Sequence, residues 1–352
     1  MSNRLLFIGE FPPPYGGVTI KDEMLLADVF DGLDPVVFDL YDFKRRPWIF
    51  PALCLGLARE VKLADHIALG LGDNARLSKM LGVIASLRGK RFLRDVTVFM
   101  MGRTLTTYLA EMPGEVGRFQ QCGHIYAESR TLVAEFEELG VRCASYLPNF
   151  RKGDRACAPR PVGDVVRFVY FAQVRPEKGI ETLADACVRL DSAGLSGRYS
   201  VDVYGSVLDG YGDAFEALLV RTPAMEYKGA FDAAHGDVYE LLNRYDSSSS
   251  SSSWQEGMSG SNIECKFAGV ANIVSSAGFN PECVRDGAEG ILVEPRDVDS
   301  LAAAMRGVIE DRELLEHLKR GSWESRVEYD VATWRDEVRV QVLADGAVND
   351  KG

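Results

Sequence analysis

The chain has 352 residues, 46% hydrophobic and 26% charged, with a formal net charge of −12. That length exceeds one core of ordinary size and predicts two domains. The acidic balance excludes a general nucleic-acid binder, which needs clustered Lys and Arg. No apolar run reaches the roughly 20 residues of a membrane span.

The apolar stretch Leu5-Leu6-Phe7-Ile8 is too short for a signal-peptide core and reads as a buried first strand, Leu5–Gly9. A helix is expected over Val18–Phe30. A basic and aromatic stretch follows, Lys44-Arg45-Arg46-Pro47-Trp48-Ile49-Phe50. It reads either as a solvated loop or as a contact with an anionic membrane surface or a lipid-linked acceptor. Further strands are expected at Val96–Met101, Ile125–Ala127 and Ser145–Leu147, with a helix over Arg130–Leu139. The polar stretch from Arg151 to Pro161 then serves as a linker.

A second alternating series begins beyond it. Arg167–Phe171, Ser200–Tyr204, Ala271–Val274 and Ile291–Val293 read as strands. Gly179–Ala193, Gly236–Arg244 and Ser300–Ile309 read as helices. Strand–helix alternation in both halves predicts an α/β protein with two parallel sheets covered by helices. Ligands then bind beyond the strand carboxyl ends, here in an interdomain cleft. The domains are expected at 1–152 and 153–329, with a helix from about 330 returning to the first. Ser247 through Ser253 is an unbroken serine run. Its composition suggests a flexible linker, whereas its flanks require a strand, for which serine is poorly suited.

Seven scattered cysteines (Cys54, Cys122, Cys143, Cys157, Cys187, Cys265, Cys283) contain no Cys-x-x-Cys pair. They suit reduced thiols in the cytoplasm. His66, His124, His235 and His317 lack metal-ligand spacing. Asp297-Val298-Asp299 precedes a helix, where aspartates serve as N-caps.

The densest chemistry lies in Trp254-Gln255-Glu256-Gly257-Met258-Ser259-Gly260-Ser261-Asn262-Ile263-Glu264. Two glutamates eight residues apart flank a small, polar loop that opens a helix. Free backbone N–H groups at a positive helix terminus suit a diphosphate. A carboxylate before the loop can accept from sugar hydroxyls, and one on the first turns from ribose hydroxyls. Spacing alone equally allows an exposed helix start with acidic residues favoured by the dipole.

With its flanks, this segment resembles glycosyltransferase family 4, the retaining enzymes of GT-B architecture with a Glu-x7-Glu motif. Val284-Arg285-Asp286-Gly287-Ala288-Glu289-Gly290-Ile291-Leu292-Val293-Glu294-Pro295 is similar to the family's later stretch almost position for position. Arg175-Pro176-Glu177-Lys178-Gly179 resembles its Pro-Glu-Lys-Gly segment, Val203-Tyr204-Gly205 its following strand, and Gly16-Gly17 its first loop. The resemblance implies GT-B, two Rossmann-like domains with parallel sheets facing an interdomain cleft. It implies a catalytic set of Glu256, Lys178 and Arg175. Donor binding falls to Gly16, Gly17, Gln173, Gly205, Gly257, Met258, Ser259, Gly260, Ser261 and Glu264.

The implied donor is a UDP- or GDP-sugar, with no required metal or other cofactor. The implied acceptor is a glycan, a lipid-linked molecule or a small molecule, in polysaccharide biosynthesis. The protein would be cytoplasmic, peripheral at the inner membrane face where Lys44–Phe50 makes contact. Three positions depart from the pattern: Gln173 replaces an arginine, Met101 falls where a histidine is usual, and serines replace the apolar strand. They leave open a catalytically degenerate binder of nucleotide sugar or of a partner, and a nucleotide-sugar epimerase on the same fold.

Overall fold

A computed structural model describes residues 4–13, 16–232, 236–250, 252 and 257–344. The chain divides into two compact units, one drawn from residues up to Phe150 and from Val331 onward, the other from Arg151–Asp330.

In the first unit β1 (Leu5–Gly9), β2 (Val36–Asp39), β3 (His66–Leu71), β4 (Val96–Met100), β5 (His124–Ala127) and β6 (Ala144–Tyr146) form one sheet. Its order is β2-β1-β3-β4-β5-β6, parallel throughout. Strands buried on both faces need continuous apolar runs. Leu5 through Ile8 meet that need, each at most 2% exposed. Edge-on aromatic contacts join Phe7 to Phe30 and Phe30 to Phe99. The Val331–Val342 helix places Val331, Val338 and Val342 in the same core. Its Trp334 meets Tyr146 edge-on, and Arg339 donates to the carbonyls of Val29 and Asp31.

The second unit holds β7 (Val166–Phe171), β8 (Tyr199–Tyr204), β9 (Met225–Gly229), β10 (Ser247–Ser250), β11 (Ala271–Ser275) and β12 (Gly290–Val293). Their order is β12-β11-β10-β7-β8-β9, again parallel. Strand order reverses between β7 and β10, and such a reversal opens a crevice at the carboxyl ends of the two central strands. The Ile180–Ser192, Val298–Glu310 and Arg312–Ser325 helices bury Ile180, Leu183, Leu301, Met305 and Leu318 against this sheet.

The serine run supplies β10, a central strand. Ser247 pairs with both Phe168 and Ala271, and Ser247 and Ser249 are fully buried. Main-chain bonds to two neighbours hold a sequence whose side chains contribute little packing. The Ser248 hydroxyl donates to Asn272 Oδ1 at 2.9 Å and that of Ser247 to the Ser248 carbonyl at 3.1 Å. Ser249 Oγ has no hydrogen-bond partner among the described residues. The strand is set in place at its amino end by Asp246. Its Oδ1 accepts from Lys319 Nζ at 2.7 Å and its Oδ2 from the Arg167 N–H at 3.0 Å. Lys319 is 1% exposed.

Most expected elements appear within a residue or two of their expected bounds. The expected Val18–Phe30 helix is α-helical over Gly17–Met24 and continues as a π-turn, Leu25–Val29. Several elements escaped the sequence reading, among them the Phe50–Leu63, Asn74–Arg88, Leu105–Glu111, Pro113–Phe119, Gly212–Arg221 and Arg312–Ser325 helices and strands β2 and β3. Among the described residues no helix is long and apolar enough to cross a membrane.

Removing one partner of a buried ion pair leaves an uncompensated charge. Lys319→Met is therefore expected to lower unfolding free energy by about 3–5 kcal/mol in denaturant titration. Ser249→Ala, which removes an unpaired buried hydroxyl, is expected to raise it by about 1 kcal/mol.

Candidate functional site

In the second unit, Gln173, Arg175, Lys178, Gly205 and Gly257–Glu264 lie on the segments that follow β7, β8 and β10. After β7 the chain passes through Gln173, whose side chain is exposed and whose carbonyl accepts from Tyr170 Oη at 2.9 Å. Val174 bridges to Val207. Pro176–Lys178 then make a 3-10 turn closed by Gly179 at φ +81°, a left-handed position that suits glycine. Arg175 Nε donates to Glu177 Oε2 at 2.8 Å, and that bond draws the Glu177 carboxyl below its ordinary range. The Ser252 hydroxyl donates to the Glu177 carbonyl at 3.2 Å, and the Ser252 carbonyl accepts from Ser275 Oγ at 2.5 Å. The Pro-Glu-Lys turn is thus tied to the segment that leads into the glutamate loop. Glu256 itself lies outside the described residues.

From Gly257 the chain is described again. Met258 is buried, 4% exposed, and anchors the bend before the Gly260–Phe267 helix. Among the described residues no side chain caps that helix: Ser259 Oγ bonds to Ser261 Oγ at 2.9 Å instead. The first N–H groups, from Gly260 to Asn262, have no carbonyl of their own helix to bond, and they carry the positive end of its dipole. Asn262 Nδ2 donates to Asn280 Oδ1 at 2.9 Å, which ties the helix start to the turn at Asn280.

Glu264 lies one turn further on, and its Oε1 accepts from Arg151 Nε at 2.9 Å. Both side chains are mostly buried, Arg151 at 10% and Glu264 at 17% exposure. Arg151 is held by its main chain, which bonds to the Tyr329 carbonyl at 2.8 Å and bridges to Asp330. Tyr239 stacks on Phe267 beside the pair and donates to the Lys152 carbonyl at 3.1 Å. Burial holds its hydroxyl protonated, well above the ordinary range. Arg151 gave no signal in the sequence, where it read as part of a polar linker.

Gly205 closes the crevice at β8. A Cβ there would stand 1.9 Å from the Ala172 carbonyl oxygen, so close backbone approach requires glycine. The Gly205 N–H donates to the Gly229 carbonyl at 3.0 Å, and Tyr227 Oη donates to the Gly205 carbonyl at 2.8 Å.

In the first unit, Gly16 and Gly17 line a cavity of about 390 Å³ beyond β1 and β3, with Glu10, Thr19, Lys44 and Arg76. Gly16 is extended, at φ −161°, and a Cβ on either glycine would meet nothing within 4 Å. Neither backbone nor packing demands glycine at these two positions. Glu10 is 5% exposed and pairs with Arg76, and its N–H donates to Asp22 Oδ2 at 2.7 Å. Burial pushes the Asp22 carboxyl well above the carboxylate range.

Met101 belongs to the core of this unit. The adjacent Gly102, at φ +83°, donates its N–H to Glu128 Oε2 at 3.2 Å. Lys21 Nζ holds Glu128 Oε1 at 2.7 Å and the Met100 carbonyl at 3.3 Å. This buried pair was missed in the sequence, although a lysine on the inner face of an amphipathic helix was a usable signal.

Other candidates take structural places. His66 is buried at the amino end of β3, and burial lowers His124 to about 4. Asp297 caps its helix by accepting from the N–H groups of Asp299 and Ser300, while Asp299 pairs with Arg189. All seven cysteines are unpaired, and burial pushes the Cys143 thiol up to about 11.

Residues 160–323, most of the second unit, match the family model of glycosyl transferases group 1. A D-inositol 3-phosphate glycosyltransferase of Geodermatophilus obscurus is 28% identical over 201 residues. That match spans 53% of this chain and 45% of the relative, less than half its length. Among solved structures, Anabaena HepE in complex with UDP and glucose superposes with a TM-score of 0.72 at 15% identity. The match covers 97% of this chain and all of that one. A glycosyltransferase from Rickettsia africae reaches 0.72 at 13% identity, over 98% of this chain and all of its own. These likenesses establish the fold, the GT-B pair of Rossmann-like units.

Gly205→Ala tests the close approach that shapes the crevice. Thermal and denaturant unfolding are expected to show a loss of about 2–3 kcal/mol, because the added methyl meets backbone rather than a movable side chain. Gly16→Ala, with open space before it, is expected to leave stability within about 0.5 kcal/mol of wild type.

Proposed function

We propose that this chain, whose second unit matches the glycosyl transferases group 1 model, is a retaining glycosyltransferase of family 4. It would take a sugar from a nucleoside diphosphate. The reading rests chiefly on the uncapped start of the Gly260–Phe267 helix, with Glu264 one turn along. Backbone N–H groups there suit a diphosphate. The Glu264 carboxylate, oriented by Arg151, suits a pair of ribose hydroxyls. Lys178 enters from the turn that Ser252 ties to the same loop, and with Arg175 it offsets charge on the departing diphosphate. Arg175 would exchange its bond to Glu177 for phosphate oxygens. Glu256 would hold the donor sugar.

The ligands of a structural neighbour favour a uridine carrier over a guanosine one. HepE was solved with UDP and glucose, and further complexes of that protein hold UDP and UDP-glucose. In the proposed reaction the anomeric carbon parts from the diphosphate oxygen. The acceptor hydroxyl attacks on the same face and passes its proton to the departing diphosphate oxygen, so the configuration is kept. The cations and helix terminus described above would stabilise the leaving group without a required metal. The cavity at Gly16 and Gly17 in the first unit suits the acceptor side, where missing side chains leave room. The acceptor is a glycan, a lipid-linked molecule or a small molecule.

Incubating the purified protein with a panel of UDP- and GDP-sugars tests this reading. Expected are binding of one donor, its slow hydrolysis, and release of sugar with the donor's anomeric configuration by NMR. Absence of both binding and hydrolysis across the panel overturns it. A sugar altered while still on its nucleotide would replace transfer with epimerisation.

Glu264→Ala is expected to weaken nucleotide binding about tenfold to a hundredfold, the worth of hydrogen bonds to a charged group. Lys178→Ala is expected to lower kcat about a hundredfold or more, through lost transition-state stabilisation. Glu256→Ala is expected to act chiefly on turnover. Steady-state kinetics beside calorimetric binding separates the three effects.

A further inference from the structure

Glu264 is built as one half of a pair rather than as a lone carboxylate. Gly260, Glu264 and Phe267 stand at i, i+4 and i+7 and share one face of their helix. Arg151, the first residue of the second unit, meets that face at its middle, with Nε 2.9 Å from Glu264 Oε1. Its own N–H donates to the Tyr329 carbonyl at 2.8 Å, and it bridges in parallel to Asp330. The segment that follows packs on the same helix. A Cβ on Gly153 would collide with Asp330 Oδ2 and stand 3.3 Å from the Phe267 ring. Tyr239, stacked on Phe267 with ring centroids 5.5 Å apart, donates to the Lys152 carbonyl. The Cys157 N–H donates to the Phe267 carbonyl at 2.8 Å. Main-chain bonds and ring packing therefore place Arg151 independently of any ligand.

A carboxylate accepts from two neighbouring hydroxyls only when it is turned toward both. A glutamate left to itself pays rotamer entropy to be held in that orientation. A charge-assisted bond to one of its oxygens sets the orientation before a ligand arrives. Arginine suits this task because its donors lie in one fixed plane, which a lysine ammonium does not offer. Both side chains of the pair are mostly buried. Little water can therefore stand in for a hydroxyl that a ligand lacks. A site built to bond a hydroxyl rejects the analogue without it, since its own buried group is left unpaired. Without Arg151 the Glu264 carboxylate loses its compensating charge and its fixed orientation together.

We propose that Arg151 is the positioning residue that makes this site select ribose over 2′-deoxyribose in its nucleotide. It acts through Glu264 and not by contact with the nucleotide: Arg151 sets the carboxylate, and the carboxylate tells two hydroxyls from one. The inference rests on the donor reading and adds the sugar of the nucleoside as a selected feature of the substrate.

Calorimetric titration of the full chain with UDP and 2′-deoxy-UDP, and with the matching guanosine pair, tests it. Wild type is expected to bind the ribonucleotide about tenfold to a hundredfold more tightly than its deoxy analogue. In Arg151→Gln that preference is expected to fall to about threefold or less, with the deoxy analogue bound as by wild type. Arg151→Lys, which keeps the charge without the planar fork, is expected to lie between the two. In a Glu264→Gln background, Arg151→Gln is expected to change ribonucleotide binding less than about twofold, because the two residues act as a unit. Melting of each variant checks the fold, and if Arg151→Gln does not fold the Arg151→Lys preference decides. The proposal is overturned if the Arg151 variants keep the wild-type preference, a result that leaves the donor reading intact. Equal loss of affinity for both nucleotides also overturns it, since that marks a purely structural role. Wild type binding ribo and deoxy forms alike overturns it as well, and wild type binding neither overturns the donor reading with it.

Discussion

Asp246 joins β7, β10 and the Arg312–Ser325 helix through one carboxylate, accepting from the Arg167 N–H and the Lys319 ammonium. Its own N–H donates to the Arg167 carbonyl and its carbonyl accepts from Ala271, so β11 is held as well. This junction lies where strand order reverses, and it sets the register of β10 between its neighbours. Four serines later the chain leaves the sheet at the same edge as the Pro176–Lys178 turn. A slip of one residue in β10 would turn every side chain over and displace the loop that follows. The placement of Ser252 against the Glu177 carbonyl therefore depends on a buried ion pair at the opposite end of the strand.

Much of this was legible in the sequence because backbone requirements leave clear marks. Leu5-Leu6-Phe7-Ile8 and Arg167–Phe171 are apolar runs of strand length, and both are central strands. Gly205 and Gly179 stand where close approach or a left-handed angle leaves no alternative. The uncapped helix start at Gly260 was foreseen from the small residues before it. β10 was foreseen only by its flanks, since seven serines carry no periodicity; its main-chain bonds do what side-chain packing does elsewhere. Arg151 was not foreseen, because a buried role for a linker arginine depends on Glu264, 113 residues away. Lys21 and Glu128, 107 residues apart, escaped for the same reason.

Two departures from the family pattern now have physical settings. Met101 fills the first unit's core, and the loop after it is held by the Lys21–Glu128 pair, which takes over the shaping of Gly102. Gln173 faces solvent beside Arg175 and Glu177, so a cation sits two residues from the position where one is usual. The two units also differ in what their glycines do. Gly205 is demanded by the chain's own backbone, whereas Gly16 and Gly17 stand before open space in a cavity. The first kind preserves a crevice, and the second leaves room within one.

The central claim is that the Gly260–Phe267 helix start and Glu264 hold a nucleoside diphosphate. Calorimetric titration of UDP into wild type and into Glu264→Gln tests it most directly, because the substitution keeps shape and removes charge. Saturable binding by wild type is expected, with at least roughly tenfold weaker binding by the variant. Equal affinity in both proteins, or no binding of UDP or GDP by wild type, would contradict it.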